Sequence, residues 1–148
     1  MLGRGDKAVE LYKMITPIEH ARTKDAANKY KVEPYVLAAD VYGAQNLAGS
    51  GGWTWYTGSS SWYYLAGIQY ILGLNIYNNC MSLKPCISKN WESFEIKYKF
   101  GNSIYNIKIK NPDGKNAGVS KVFVNGIENE NKIKLDGSGK VFNIEVIM

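Results

Sequence analysis

The chain has two cysteines, one histidine and four prolines in 148 residues, and from Val41 to Leu83 it carries no charged residue at all. So few cysteines exclude a disulfide-stapled scaffold, and the default for Cys80 and Cys86 is a pair of free thiols in a reducing interior. A Cys-x5-Cys spacing with only His20 for company is not a zinc pattern, so no metal site is expected. No apolar run reaches the roughly 20 residues that a membrane-spanning helix needs. The densest run, Trp62 to Leu74, contains Gly67, Gln69 and Gly73 and reads as a buried helix. No secretory leader is recognised, and a cytoplasmic location is expected. The phosphate-loop pattern GxxxxGK[ST], the dinucleotide pattern GxGxxG, HExxH and GxSxG are all missing. His20 stands beside Glu19 and Arg22 without the orienting partner that a general base requires, and no catalytic residue is assigned.

What is present is apolar and aromatic. The hydrophobic fraction is 45% and the aromatic fraction 13%, with eleven tyrosines, enough to bury a core and to build surfaces that are both apolar and hydrogen-bonding. Sugar-binding or base-stacking surfaces fit that mixture. A formal charge of +5 invites phosphate partners. However, Lys97, Lys99, Lys108, Lys110, Lys132 and Lys134 alternate with apolar residues, the pattern of a solvated sheet face, and no nucleic-acid partner is expected.

The periodicity divides the chain. Lys7 to Ile15 carries a helical stripe of Ala8, Leu11, Tyr12 and Ile15, with Asp6 placed to cap it and Thr16-Pro17 to stop it. A short helix is expected from Lys24 to Tyr30, capped by Thr23. Pro34 opens an expected helix to Tyr42, apolar on nearly every side but for Asp40, and a second begins near Ser59 to Ser61 and runs to Leu74. From Trp91 the period becomes two. Phe94 to Phe100 and Tyr105 to Ile109 form a hairpin about Gly101-Asn102-Ser103, and strands follow at residues 119–125, 131–135 and 140–147. The second half is expected to be an antiparallel sheet or half of a sandwich, with the join near residues 75–92.

The segment GGWTWYTGSSSW, Gly51 to Trp62, holds the chemistry. Thr57, Gly58 and Ser59 precede a helix, where free amides and the dipole favour an anion and glycine admits close approach. The same residues also suit an ordinary loop and cap, and both readings stand on the residues alone. Trp53, Trp55 and Tyr56 offer rings that stack on sugar faces, although aromatics also fill cores. Asp40 suits either a sugar hydroxyl or a structural partner.

Four stretches, LGRGDKAVELYKMITPIEHA, YKVEPYVLAADVYG, GGWTWYTGSSSWYYLAGIQYILGL and PCISKNWESFEIKYKFGNSIYNIKIKNP, together resemble the C-terminal part of glycoside hydrolase family 94, formerly glycosyltransferase family 36. The wording EPYVLAADVYG and GGWTWYTGS resembles its β-1,2-glucan branch, which holds β-1,2-oligoglucan phosphorylases and cyclic β-1,2-glucan synthases. The resemblance implies an α+β fold, with residues 1–75 as terminal helices of an (α/α)6 catalytic barrel and residues 76–148 as a small antiparallel, sandwich-like β domain. It implies inverting phosphorolysis of a β-linked glucan or oligosaccharide. A carboxylic acid protonates the glycosidic oxygen while inorganic phosphate attacks the anomeric carbon, so no second carboxylate is needed as base. No cofactor is implied, phosphate or a sugar 1-phosphate being substrate. By resemblance Thr57 and Gly58 contribute to the phosphate site, and Trp53, Trp55 and Tyr56 line the sugar pocket; on residue chemistry alone Ser59 is counted with the phosphate site and Asp40 with the sugar site. Ser50 stands where the family usually has arginine. The family's general acid and other phosphate ligands precede LGRGDKA, so the chain is expected to be a C-terminal fragment, inactive alone and prone to self-association. Its parent would be membrane-associated if a glucan synthase. The alternative class is a non-catalytic carbohydrate-binding or structural remnant.

Overall fold

The structure, a computed structural model, describes residues 2–55 and 57–148, with every side chain in these ranges except that of Thr57. It is a mixed α+β protein. The helices are α1 (Gly5–Ile15), α2 (Pro17–His20), α3 (Lys24–Tyr30) and α4 (Thr57–Leu65), the last continued by a π-helical stretch, Ala66–Ile71. The strands are β1 (Leu74–Tyr77), β2 (Cys80–Leu83), β3 (Ser93–Phe100), β4 (Ser103–Lys110), β5 (Lys121–Val124), β6 (Ile127–Asn129), β7 (Ile133–Lys134) and β8 (Val141–Ile147). The chain forms two compact units, one of Met1–Val9 with Gly67–Met148 and one of Glu10–Ala66.

The first unit holds both sheets, a three-stranded one of order β1-β2-β7 and a five-stranded one of order β3-β4-β8-β5-β6. The alternation read from the sequence is the alternation of burial. Ser103, Tyr105, Ile107 and Ile109 of β4 are buried while Asn106 and Lys108 between them are exposed, and Ile144 and Val146 of β8 are buried beside them. Met81 and Leu83 of β2 and Ile87 add further fully buried side chains to the core. The β3–β4 hairpin turns at Gly101-Asn102, as expected, pairing Phe100 with Ser103.

Three features depart from expectation. The β4–β8 pairing is parallel, so the large sheet is not wholly antiparallel: residues 111–140 carry the chain across to the far side of β4. Two hairpins went unread. Asn78 and Asn79 both have positive φ and close β1 on β2, and Asn125-Gly126 does the same for β5 and β6. These are two-residue turns of the type that asparagine and glycine favour. Asp6 lies inside the first turn of α1, and its carboxylate accepts from the Ser88 hydroxyl at 2.7 Å and the Lys89 amide at 3.1 Å. The bonds from Ser88 and Asn116, with that from Lys89, hold its pKa below the usual carboxylate range.

Tyr105 anchors the sheet to the following loop. Fully buried and stacked on Phe142, it donates from its hydroxyl to the Asp136 carbonyl at 3.1 Å and accepts from the Asp136 amide at 2.6 Å. Asn131 imitates a strand partner, its amide group bonding both the N–H and the C=O of Leu83.

The second unit is built from short helices and a looped hairpin. Thr23 caps α3 as expected, accepting from the Ala26 amide at 3.1 Å. Tyr63 of α4 stacks on Tyr12 with centroids 3.9 Å apart and donates to the Tyr12 carbonyl at 2.8 Å. Burial pushes the Tyr63 phenol up to about 12. His20 has a structural role, lying on the Tyr30 ring with its Nε2 at 2.8 Å from the Met14 carbonyl.

The helix expected from Pro34 to Tyr42 is not formed. Only a single turn, Val36 N–H to Glu33 O, survives, and residues 39–42 pair instead with residues 50–53. Tyr35, Val36, Val41 and Tyr42 are aromatic or β-branched types that favour extended backbone, and an all-apolar stretch has no helical period to oppose them. The helix after Ser59 does form, but it is not buried as expected: Trp62, Tyr64 and Tyr70 are exposed, and only Ile71 is buried in the π-helical stretch. Cys80 and Cys86 are free thiols. Among the described residues no helix is long and apolar enough to cross a membrane, and no cluster of side chains suits a metal ion.

Candidate functional site

The tryptophan segment sits at the end of the looped hairpin in the second unit. Its two arms are tied by Ala39 N–H to Trp53 O at 2.7 Å, Gly52 N–H to Asp40 O at 2.9 Å, and Tyr42 N–H to Ser50 O at 2.9 Å. Val41 and Gly51 form the bridge between them, and Gly51 N–H also donates to Tyr30 O at 2.8 Å, fixing the arm to the end of α3.

Space bears on both glycines of the pair. A Cβ on Gly51 would run into the Val32 side chain. The three atoms nearest to a Cβ on Gly52 would all belong to the Asp40 carboxyl group, Oδ2 at 2.5 Å and Cγ at 2.6 Å among them. Asp40 is thereby placed to accept from the Trp53 amide at 3.2 Å through Oδ1. The single carboxylate of this stretch thus fixes the backbone that presents the first tryptophan.

The rings themselves face outward. Trp53 is 70% and Trp55 62% exposed, and Tyr35, 73% exposed, lies edge-on to Trp55 with centroids 6.1 Å apart. Trp55 has a φ of 66°, in the left-handed region that side chains other than glycine rarely occupy. Such strain gathers at functional sites. Tyr35 was not among the expected site residues, and neither were Gly51 and Gly52. A glycine doublet directly before the tryptophans was the signal for the close approach.

The helix α4 starts at Thr57, directly after this aromatic loop. Gly58 and Ser59 are exposed in its first turn. A Cβ on Gly58 would touch nothing within 4 Å among the described residues, so the fold itself does not call for glycine there. Glycine in a helix costs about 1 kcal/mol relative to alanine, a cost that close approach of a ligand would justify. Tyr56 and the side chain of Thr57, both expected in the site, lie outside the described residues. The structure therefore brings Asp40, Trp53 and Trp55 together on one hairpin and puts Gly58 and Ser59 at the helix start next along the chain.

The sequence model of the Glycosyl hydrolase 94 superfamily, catalytic domain, matches residues 1–73. The chain is 37% identical over 128 residues to a cyclic beta-(1,2)-glucan synthase of Rhizobium meliloti, an alignment covering 86% of this chain and 4% of that protein. It is 30% identical over 148 residues to an N,N'-diacetylchitobiose phosphorylase of Vibrio proteolyticus, covering 99% of this chain and 18% of the relative. A solabiose phosphorylase of Paenibacillus borealis is 28% identical over 148 residues, with 99% and 19% covered. The chain belongs to the glycosyl hydrolase 94 superfamily. It spans less than a fifth of the length of each of these relatives.

Proposed function

We propose that this chain carries part of the sugar and phosphate site of an inverting β-glucoside phosphorylase or related glycosyltransferase. Residues 1–75 then correspond to terminal helices of an (α/α)6 catalytic barrel and residues 76–148 to its following β domain. The single observation that carries the reading is the hairpin that sets Trp53 and Trp55 outward directly before the α4 start, with Asp40 used to hold the backbone. In this reading the rings of Trp53, Trp55 and Tyr56 pack on the CH faces of a β-linked glucan or oligosaccharide. Thr57, Gly58 and Ser59 hold inorganic phosphate, or the phosphate of a sugar 1-phosphate, on free amides at the positive end of the helix dipole. Phosphate is already an anionic nucleophile, so the site needs to orient it toward the anomeric carbon, and only the departing oxygen needs an acid.

Asp40 is a poor general acid here, because its carboxylate is engaged by the Trp53 amide and acts as a positioning group. The proton donor is therefore assigned outside this hairpin, and the chain by itself is expected not to turn over. The test is an assay of the purified chain for sugar 1-phosphate released from β-linked glucans in phosphate buffer. Absence of turnover combined with saturable binding of a sugar 1-phosphate supports the reading, and turnover by the chain alone overturns its partition of the site. A second reading, a non-catalytic carbohydrate-binding role, is favoured by the three exposed rings of Tyr35, Trp53 and Trp55. It predicts binding of neutral sugar with no gain from phosphate.

A further inference from the structure

The five-stranded sheet of the first unit has two edges, β3 and β6, and they are not alike. β6 is three residues long, whereas β3 runs for eight and, among the described residues, pairs only with β4. The ladder fixes which backbone groups β3 leaves over. Ile104 N–H donates to Lys140 O and Asn111 N–H to Glu92 O, so the even residues of β4 turn their backbone toward β8 and the odd ones toward β3. Tyr105, Ile107 and Ile109 therefore bond with Tyr98, Ile96 and Phe94. The N–H and C=O groups of Ser93, Glu95, Lys97 and Lys99 point the other way, to the open edge.

The side chains repeat the imbalance. On the inner face Tyr105, Ile107 and Ile109 of β4 are buried, but Phe94, Ile96 and Tyr98 opposite them on β3 are only half-buried. On the outer face Glu95, Lys97 and Lys99 are exposed. Lys108 meets Glu95 at Oε1, 3.2 Å away, and Lys110 meets Glu145 at 2.8 Å. Among the described residues no acid pairs with Lys97 or Lys99. Open backbone, a half-covered apolar row and uncancelled positive charge thus lie along one strand.

We infer that β3 is the contact strand of a homodimer, pairing antiparallel with β3 of a second copy about a two-fold axis through Ile96. Lysine on an edge ordinarily discourages strand addition. Here the lysines select one register. With Ile96 opposite Ile96 of the second copy, Glu95 faces Lys97, Lys97 faces Glu95 and Ser93 faces Lys99, while Phe94 and Tyr98 meet on the inner face. The odd residues then exchange their open backbone bonds. Sliding by two residues sets Glu95 against Glu95 or Lys97 against Lys97, and sliding by one turns charged side chains onto the apolar face. An unrelated extended peptide would need its own acid at the matching place, which a second copy brings. Pairing of β3 with β6 of another molecule would engage only three residues and build an open chain of molecules. A single strand pairing is a small interface, so the dimer is expected to be weak and exchanging.

The test is amide hydrogen exchange of the full chain at rising concentration, with sedimentation velocity alongside. The amides of Ser93, Glu95, Lys97 and Lys99 are expected to gain protection as the dimer forms, and that of Glu128 on the other edge is not. K97E replaces both attractions by contacts between glutamates and is expected to weaken the dimer about tenfold. K99E makes the same charge change opposite Ser93, and is expected to leave the affinity within about twofold. E95K fails with itself as K97E does, but an equimolar mixture of the two restores both Glu–Lys pairs and is expected to dimerise like the parent chain. All three substitutions lie at exposed positions. Association through the exposed helix faces of the second unit is blind to these substitutions, which tells the two apart. Equal effects of K97E and K99E, no rescue on mixing, no concentration-dependent protection along β3, or protection of Glu128 with continued growth of the particle would overturn the inference.

Discussion

Replacing Gly52 by alanine tests whether Asp40 and the glycine doublet act as one device. The added methyl would lie 2.5 Å from Asp40 Oδ2 and 2.6 Å from Cγ, well inside contact distance. The carboxylate must therefore swing away and give up the Trp53 amide. A hydrogen bond to a charged group contributes about 1.5–3 kcal/mol, and exposure of this pair to solvent reduces that to about 1 kcal/mol. Residual overpacking adds about 1 kcal/mol, so G52A is expected to cost about 2 kcal/mol. D40A removes the same bond and costs about 1 kcal/mol. Because D40A also removes the group that the methyl strikes, the double variant should cost no more than D40A alone, a coupling of about 2 kcal/mol. Urea unfolding followed by tryptophan emission reads the right region, since Trp53, Trp55 and Trp62 all lie in the unit Glu10–Ala66. Additive losses in the double variant would refute the reasoning.

Three further outcomes are expected. Y105F leaves the Asp136 amide and carbonyl without their buried partner and should lower stability by about 2–4 kcal/mol in chemical denaturation, with an unchanged dependence on denaturant; a loss below about 0.5 kcal/mol would count against the anchor. Tyr63 binds its proton more tightly in the fold than in the unfolded chain. Its contribution is therefore complete below the ordinary tyrosine value of 10.0 and is lost as pH rises toward about 12, which tyrosinate absorbance against alkaline unfolding will show, whereas titration at the ordinary value would contradict it. The exposed Leu11, Met14, Ile15 and Ile18, together with Trp62 and Tyr64, should drive self-association at micromolar concentration, and light scattering that reports only a monomer would speak against it.

The β half was legible because its chemistry is periodic. Lys97, Lys99 and Lys108 alternate with Ile96, Tyr98 and Ile107, and Gly101-Asn102 announces its turn. The parallel β4–β8 pairing was not legible, since a strand with one wet face has the same pattern whichever way its neighbour runs. The turns at Asn78-Asn79 and Asn125-Gly126 were written plainly in turn residues, but the strands beside them are only three or four residues long, too short to show a period. The stretch from Tyr35 to Tyr42 misled because uniform apolarity carries no period, and half of its partner segment, Ser50 to Trp53, is glycine. For the candidate site, the residue types of GGWTWYTGSSSW suggested where to look. The positioning roles of Asp40, Gly51 and Gly52 depend on which backbone approaches which, and only the fold supplies that.

The central claim is that the tryptophan hairpin and the α4 start hold a sugar and a phosphate side by side. Titration of the chain with a sugar 1-phosphate, read by tryptophan emission and calorimetry, tests it most directly. The account predicts saturable binding that weakens about tenfold in a T57A/S59A variant, through loss of donors to the phosphate, and disappears in W53A/W55A. Binding that ignores both double variants, or no saturable binding to the folded chain, would contradict it.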